Sequence, residues 1–129
     1  MEPRLYIVMR KDIQDMNPGK AMAQAAHAQA DFDAFLASMA GTDNDEFWQA
    51  VSAWREEREF GVTLVLSATL DKMRTVNDIN DHAGMTVDPT YPWRNWHGEM
   101  FTIEEITCMW SFVYREEEIE YMSQFDLHK

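Results

Sequence analysis

The chain has 129 residues, enough for one domain with a buried core, and 46% apolar residues with five Trp, seven Phe and ten Met exclude a disordered protein. No apolar run approaches the roughly 20 residues that cross a bilayer, no secretory leader is visible, and a lone cysteine excludes an internal disulfide, so we expect a cytoplasmic protein. The net charge of −12 argues against an ordinary nucleic-acid binder, which needs a basic face.

The first predicted elements are a strand and a long helix. Leu5–Met9 is apolar on both faces, which predicts a central strand. Asn17 is a favourable N-cap and Pro18 fits the first helical position, so a helix is predicted from Pro18 to about Met39. Its many alanines favour helix formation, and Gly41 is the expected stop.

Three further helices are predicted from apolar residues at helical spacing between caps and breakers. They run from Asp45 to about Glu59, from Leu70 to Ala83, and from Glu116 to Gln124. Asp43 or Asp45 caps the first of them and Thr69 caps the second. Gly61 and Gly84 are the expected breakers, and a frayed tail should follow the last helix.

The remaining runs that favour strands are Val62–Ser67, Met85–Asp88 and Ile106–Val113. Pro89 should stop the third strand, and residues 89–100, PTYPWRNWHGEM, are predicted to be an aromatic loop. The order β-α-α-β-α-β-β-α predicts a single three-layer α/β/α sandwich over residues 1–129, with a mostly parallel sheet.

A polar stripe on the first helix is the strongest local signal of a site. Lys20, Gln24, His27 and Asp31 are spaced 4, 3 and 4 residues apart and fall on one line of the helix. Lys20 also lies in the first turn, where free N–H groups and the helix dipole favour an anion. The stripe therefore indicates a site at the carboxyl edge of the first strand, and a solvated helix face is the alternative.

The segment around this stripe resembles the opening of the type 2, archaeal and eukaryotic, family of peptidyl-tRNA hydrolases. The spacing M-x-x-G-K-x-x-A-Q-x-x-H-A holds without a gap, and the resemblance covers about the first quarter of the chain. The matching residues are Arg10, Asp12, Met16, Gly19, Lys20, Ala23, Gln24, His27 and Ala28.

The resemblance implies a four-stranded mixed sheet whose last strand is antiparallel to the others. It implies hydrolysis, with no metal or other cofactor, of the ester between a peptide and the tRNA 3′ end, by a homodimer. Lys20 would donate to the oxyanion or a phosphate and His27 would help to position water, with a packed histidine as the alternative. Gln24 would orient its neighbours, and Arg10 and Gly19 would contact substrate.

The second half departs from the family, which carries an Asp-Ala-Gly-x-Thr segment after its third strand. A similar string, with His82 inserted, lies at the predicted end of a helix and comprises Asp81, Ala83, Gly84 and Thr86. We prefer Asp88 as the carboxylate because it follows the third predicted strand, although a capping role is an equal alternative. Thr90 or Tyr91 would replace the hydroxyl, and Thr107, which aligns with a later family threonine, would be a catalytic residue.

The aromatic loop has two interpretations. Tyr91, Trp93 and Trp96 could stack on unpaired bases, with Arg94 and His97 supplying positive charge between them. Alternatively, these rings pack the loop onto the domain or form a subunit interface.

Other chemistry is less well supported. The four histidines lack a close spacing with Cys108, so no metal site is expected, and Cys108 lies among apolar strand residues as packing. Residues 1–30 hold four basic and three acidic residues, whereas residues 31–129 hold seven basic and twenty acidic. The candidate site thus lies in the only segment that is not strongly acidic.

The alternative function is a non-catalytic module whose acidic surface binds a basic protein, favoured by the altered Asp segment, the aromatic loop and the net charge of −12. A hydrolase of another small ester or amide is a weaker third possibility.

Overall fold

A computed structural model describes residues 2–57 and 61–129, and its elements follow the predicted order. They are β1 (Arg4–Arg10), α1 (Pro18–Ser38), α2 (Asp45–Glu56), β2 (Thr63–Ala68), α3 (Leu70–Ile79), β3 (Ala83–Arg94), β4 (Met100–Val113) and α4 (Glu116–Met122). None of the helices in these two ranges is long and apolar enough to cross a membrane.

The four strands form one mixed sheet in the order β2-β1-β4-β3. β1 is parallel to β2 and antiparallel to β4, and β3 is antiparallel to β4. Three strands therefore point the same way, and the last strand inserts between two of them in the opposite direction. The mixed sheet with an antiparallel last strand is confirmed, and among the described strands one pair of neighbours, β1 and β2, is parallel.

Helices cover both faces of the sheet, as predicted for a three-layer sandwich. α1 and α2 pack on one face, where the ring of Phe32 lies 5.2–5.8 Å from the rings of Trp54, Trp110 and Phe112. α3 and α4 pack on the other face, around Met73 and neighbouring buried side chains. Alternate residues of β1 enter both cores, which explains why this central strand is apolar throughout.

The caps show how local sequence fixes the helix starts. The Asn17 side chain accepts a hydrogen bond from the Lys20 N–H at 2.9 Å, with Pro18 in the first turn, as predicted. α2 is capped by Asn44 instead of Asp43 or Asp45, through a bond from the Phe47 N–H. Asp45 lies one position later, where its charge favours the helix dipole. α2 ends at Glu56, and the predicted end at Glu59 lies outside the described residues.

The predicted third helix is too long. α3 ends at Ile79, and the Asn80 N–H closes its last turn on the Val76 carbonyl. Gly84 does not end a helix but lies in β3, where a Cβ would be 2.6 Å from Nε1 of Trp110. Close packing of the β3 backbone on the indole is therefore the physical reason for this glycine.

Most of the predicted aromatic loop is a hairpin. β3 continues through Pro89 and Pro92 to Arg94, and β4 begins at Met100, six residues before the predicted start at Ile106. Proline did not stop β3 because β3 is an edge strand, where a missing N–H removes no bond to a neighbouring strand. Gly98 turns the chain with a φ of +85°.

The C-terminal segment is held against the sheet, so the expected frayed tail is wrong. α4 ends at Met122, before the predicted Gln124. The Ser67 N–H donates to the Asp126 carbonyl and the His128 N–H donates to the Val65 carbonyl, both at 2.9 Å. These bonds cover part of the β2 edge.

Candidate active site

The polar stripe of α1 lies along β3. Three contacts show this: Lys20 Nζ is 5.8 Å from the ring centroid of Tyr91, Gln24 hydrogen-bonds Asp88, and Asp31 accepts a bond from Thr86. Residues later in α1 thus contact residues earlier in β3. Gln24 is buried and Lys20 is half-buried, so the solvated-face alternative does not describe these two side chains, whereas His27 and Asp31 are exposed.

Gln24 joins a threonine and a carboxylate in a buried chain of hydrogen bonds. The Thr107 hydroxyl donates to Gln24 Oε1 at 2.6 Å, and Gln24 Nε2 donates to Asp88 Oδ2 at 2.7 Å. All three residues are buried. Because the hydroxyl donates to the amide oxygen and the carboxylate accepts from the amide nitrogen, the contacts fix the orientation of the amide.

A β-bulge brings Thr107 to this site. Thr86 is paired with Cys108 but Val87 with Ile106, so Thr107 is an extra residue in β4. Thr107 and Cys108 both contact α1, through the side chain and the carbonyl of Gln24. In a regular strand consecutive side chains point to opposite faces, and the bulge explains why Thr107 and Cys108 both contact the same helix.

Asp88 is held as an anion. Its Oδ1 accepts bonds from the Thr90 N–H at 2.9 Å and the Thr90 hydroxyl at 3.3 Å. Burial acts to raise the pKa of Asp88, but the bonds from Thr90 and Gln24 and the nearby charge of His27 outweigh it and lower the pKa below its ordinary value. The carboxylate therefore combines a turn-forming role with a fixed charge in the site.

The hairpin is fastened to the β1–α1 connection by Gln14, a residue that the sequence analysis missed. Gln14 Nε2 donates to the Arg94 carbonyl at 2.8 Å, and the Arg94 N–H donates to Gln14 Oε1. The Tyr91 hydroxyl donates to the Gln14 carbonyl, and burial raises the pKa of Tyr91. Tyr91 is fully buried, so its ring offers no face for stacking on a base. No local motif marks Gln14, because its partners are distant in sequence.

Arg10 makes contacts within the fold. Its guanidinium contacts Asp12 at 3.0 Å, Glu105 at 2.8 Å and the Ile106 carbonyl at 3.1 Å. The side chain is only 13% exposed. Arg10 therefore joins the end of β1 to β4 and has little surface left for substrate.

The residues resembling the family's Asp-Ala-Gly-x-Thr segment are dispersed. Ala83, Gly84 and Thr86 lie in β3 and not at a helix end, which corrects their predicted place. Asp81 precedes β3 and pairs with Arg115, which follows β4. Asp81 is thus at the edge of the sheet opposite the carboxyl ends, and it is Asp88 that meets Gln24 and Thr107.

The other predicted contacts are accessible to different degrees. Gly19 is exposed, and a Cβ there would meet only Asn17 Oδ1, at 3.5 Å. Trp93 is partly buried, whereas Arg94 is exposed and donates to the Gly98 carbonyl.

Cys108 and possible metal ligands add no further site. Burial raises the pKa of Cys108 to about 11, so the thiol stays protonated at neutral pH. Over residues 2–57 and 61–129, no group of three or more His, Cys, Asp and Glu side chains is arranged to hold a metal ion.

Comparison with protein-family models identifies a family. The model of the family described as Peptidyl-tRNA hydrolase PTH2 matches residues 4–124, nearly the whole chain. No curated protein matches. The family match extends the resemblance of the first quarter through β3, β4 and α4. The chain therefore belongs to the peptidyl-tRNA hydrolase family PTH2.

Proposed function

We propose that this protein hydrolyses the ester between a peptide, or an N-blocked amino acid, and the 3′ end of tRNA, without a metal ion. The observation that carries the proposal is the buried chain from Thr107 through Gln24 to Asp88, next to Lys20 on the same helix. Membership of a family of peptidyl-tRNA hydrolases supports the substrate class.

In the proposed reaction, water attacks the ester carbonyl carbon, the carbonyl oxygen becomes an oxyanion, and the carbon–oxygen bond to the ribose then breaks. Lys20 stabilises the oxyanion, because it is a half-buried cation in the first turn of α1. Asp88 orients the water and His27 takes its proton, which passes to the leaving 3′-oxygen. His27 suits this role because it is exposed and lies near enough to Asp88 for an electrostatic interaction with the carboxylate.

Thr107 and Gln24 act as positioning residues. Thr107 has no exposed surface, and its hydroxyl proton is donated to Gln24, so it holds the amide that in turn holds Asp88. Gly19 has no side chain and is exposed, so the substrate can come close to the backbone at the start of α1.

The test is ester cleavage. Purified protein is incubated with N-acetylated aminoacyl-tRNA in the presence of EDTA, and release of the amino acid is followed. Lys20→Ala should lower kcat by about 10²- to 10³-fold, as expected for loss of an oxyanion donor. Lys72→Ala, an equal charge change at an exposed position in the first turn of α3, is the matched control. Full turnover by Lys20→Ala would refute the assigned site.

The second candidate function is an acidic interaction module, favoured by the net charge of −12 and by the exposed glutamates Glu116, Glu117 and Glu120 of α4. Its signature is salt-sensitive capture of a basic protein with no cleavage of any aminoacyl ester. Homodimerisation is a further expectation from the family, to be tested by sedimentation at micromolar concentration.

A further inference from the structure

The hairpin formed by residues 91–103, the hairpin arm, extends beyond the rest of the sheet. Its strands pair from Tyr91 opposite Ile103 to Arg94 opposite Met100, whereas the pairing of β1 with β4 stops at Cys108. From Asp88 to Arg94, six residues of β3 cover about 20 Å at roughly 3.3 Å per residue. The hairpin arm thus begins at the candidate site and extends away from it.

One face of the hairpin arm continues the surface of the site. Trp93 lies opposite Phe101, and alternation along β3 puts both on the same face as Tyr91. That face meets the site, because the Tyr91 ring lies under Lys20 and its hydroxyl reaches Gln14. The side chains of Trp93 and Phe101 therefore form an apolar surface, the Trp93–Phe101 shelf, which extends outward from the region beside Lys20.

The outer part of the arm exposes large apolar side chains. Trp96 is 88% exposed, Met100 49% and Phe101 45%. Trp96 contacts the ring of His97 at a centroid distance of 3.6 Å, its one ring contact within the described part of the chain. A tryptophan so exposed at the tip of a fastened hairpin offers a flat face for a stacking partner.

The charge of the hairpin arm also differs from that of the whole chain. Residues 91–103 contain one arginine and one glutamate, in a protein with 23 acidic and 11 basic residues. A polyanion approaching this arm meets little of the repulsion that it meets elsewhere. Arg94 is exposed there, and its bond to the Gly98 carbonyl keeps it on the arm.

We propose that the hairpin arm binds the unpaired nucleotides at the 3′ end of the RNA substrate, with Trp96 and the Trp93–Phe101 shelf stacking on successive bases. This inference rests on the proposed function and deepens it, because it assigns the nucleotides next to the scissile ester to a surface. Stacking on aromatic rings tolerates any base, so the arm would bind the single-stranded end irrespective of its sequence. The length of about 20 Å suits several stacked bases and not one.

The experiment uses RNA that carries no ester, so that binding is measured apart from hydrolysis. A labelled RNA stem-loop with an unpaired 3′ tail and the same stem with a blunt end are titrated with the full protein, and anisotropy is followed. The wild-type protein should bind the tailed RNA more tightly than the blunt one. Trp96→Ala should weaken binding of the tailed RNA about tenfold and leave the blunt RNA unchanged.

Two further variants control for surface and ring effects. Ile79→Ala removes another exposed apolar side chain, 51% exposed at the end of α3, and should bind like wild type. Trp96→Phe keeps a ring and should restore most of the affinity lost in Trp96→Ala. A urea midpoint is measured for each variant, so that a folding defect is not read as a binding defect.

The outcomes separate this inference from the proposed function. Tail-dependent binding that is lost in Trp96→Ala supports the arm as the RNA-end surface even if no ester is cleaved. Ester cleavage with unchanged tail binding by Trp96→Ala overturns the inference and leaves the proposed function intact. A wild-type dimer that Trp96→Ala converts to a monomer, without an effect on RNA affinity, also overturns it and gives the arm to a second copy of this chain.

Discussion

Thr107→Val tests the buried hydrogen-bond chain most directly. Valine has nearly the same shape as threonine, so the substitution removes the hydroxyl that donates to Gln24 Oε1 at 2.6 Å without opening a cavity. The amide oxygen is then buried without its donor, which should cost about 1–3 kcal/mol of unfolding free energy. The amide then keeps its bond to Asp88 Oδ2, at 2.7 Å, but is no longer fixed by Thr107, so Asp88 is held less rigidly. Turnover should therefore fall more than substrate affinity.

The assay is urea unfolding at pH 7, followed by tryptophan fluorescence, in a double-mutant cycle with Gln24→Leu. Removing both partners should cost less than the sum of the single changes, with a coupling of about 1 kcal/mol or more. Thr63→Val, at an exposed position of β2, is the control and should stay within about 0.5 kcal/mol of wild type. Additivity of Thr107→Val and Gln24→Leu within about 0.5 kcal/mol would refute the reasoning, because contacting partners must couple.

Three more predictions follow from packing and burial. Burial lowers the pKa of His82 below its ordinary 6.5, although the charge of Asp81 acts to raise it. The unfolding free energy should therefore be highest above pH 6.5 and fall as the pH drops below it. His82→Gln should reduce this pH dependence, as measured by urea titrations from about pH 7.5 to 5.5. Gly84→Ala should lower the unfolding free energy by about 1–3 kcal/mol, since its methyl would meet the Trp110 indole, whereas Gly19→Ala should leave the thermal midpoint unchanged or raised. Cys108, buried and with a pKa of about 11, should resist iodoacetamide at pH 8 until urea unfolds the protein, as read by mass spectrometry.

The sequence predicted the parts of the fold that depend on neighbours along the chain. The cap at Asn17, the apolar run of β1 and the spacing of the α1 stripe are local signals, and each is found where it was predicted. The extension of β3 through Pro89 and Pro92 was missed because it depends on β3 being an edge strand. Strand order arises from long-range pairing, which no local pattern in one sequence reveals.

For the candidate site, too, the sequence identified individual residues but not the long-range contacts between them. The stripe identified Gln24 and the end of a predicted strand identified Asp88, but the bond between them links residues 64 positions apart. Thr107 was proposed as reactive, yet the bulge in β4 buries it under Gln24. Tyr91 and Arg10 were expected to meet substrate, and the fold uses them as internal fasteners instead. Burial of a particular side chain depends on the whole fold, so residue type and spacing alone could not supply it.

The position of β4 has a consequence for how the protein acquires its fold during synthesis. β4 is the last strand to leave the ribosome, yet it is the neighbour of both β1 and β3. Until β4 emerges, β3 has no strand to pair with, β1 lacks one of its two neighbours, and Gln24 and Asp88 lack the threonine that orders them. Folding should therefore be nearly all-or-none and late, and a nascent chain stalled before β4 should remain sensitive to protease.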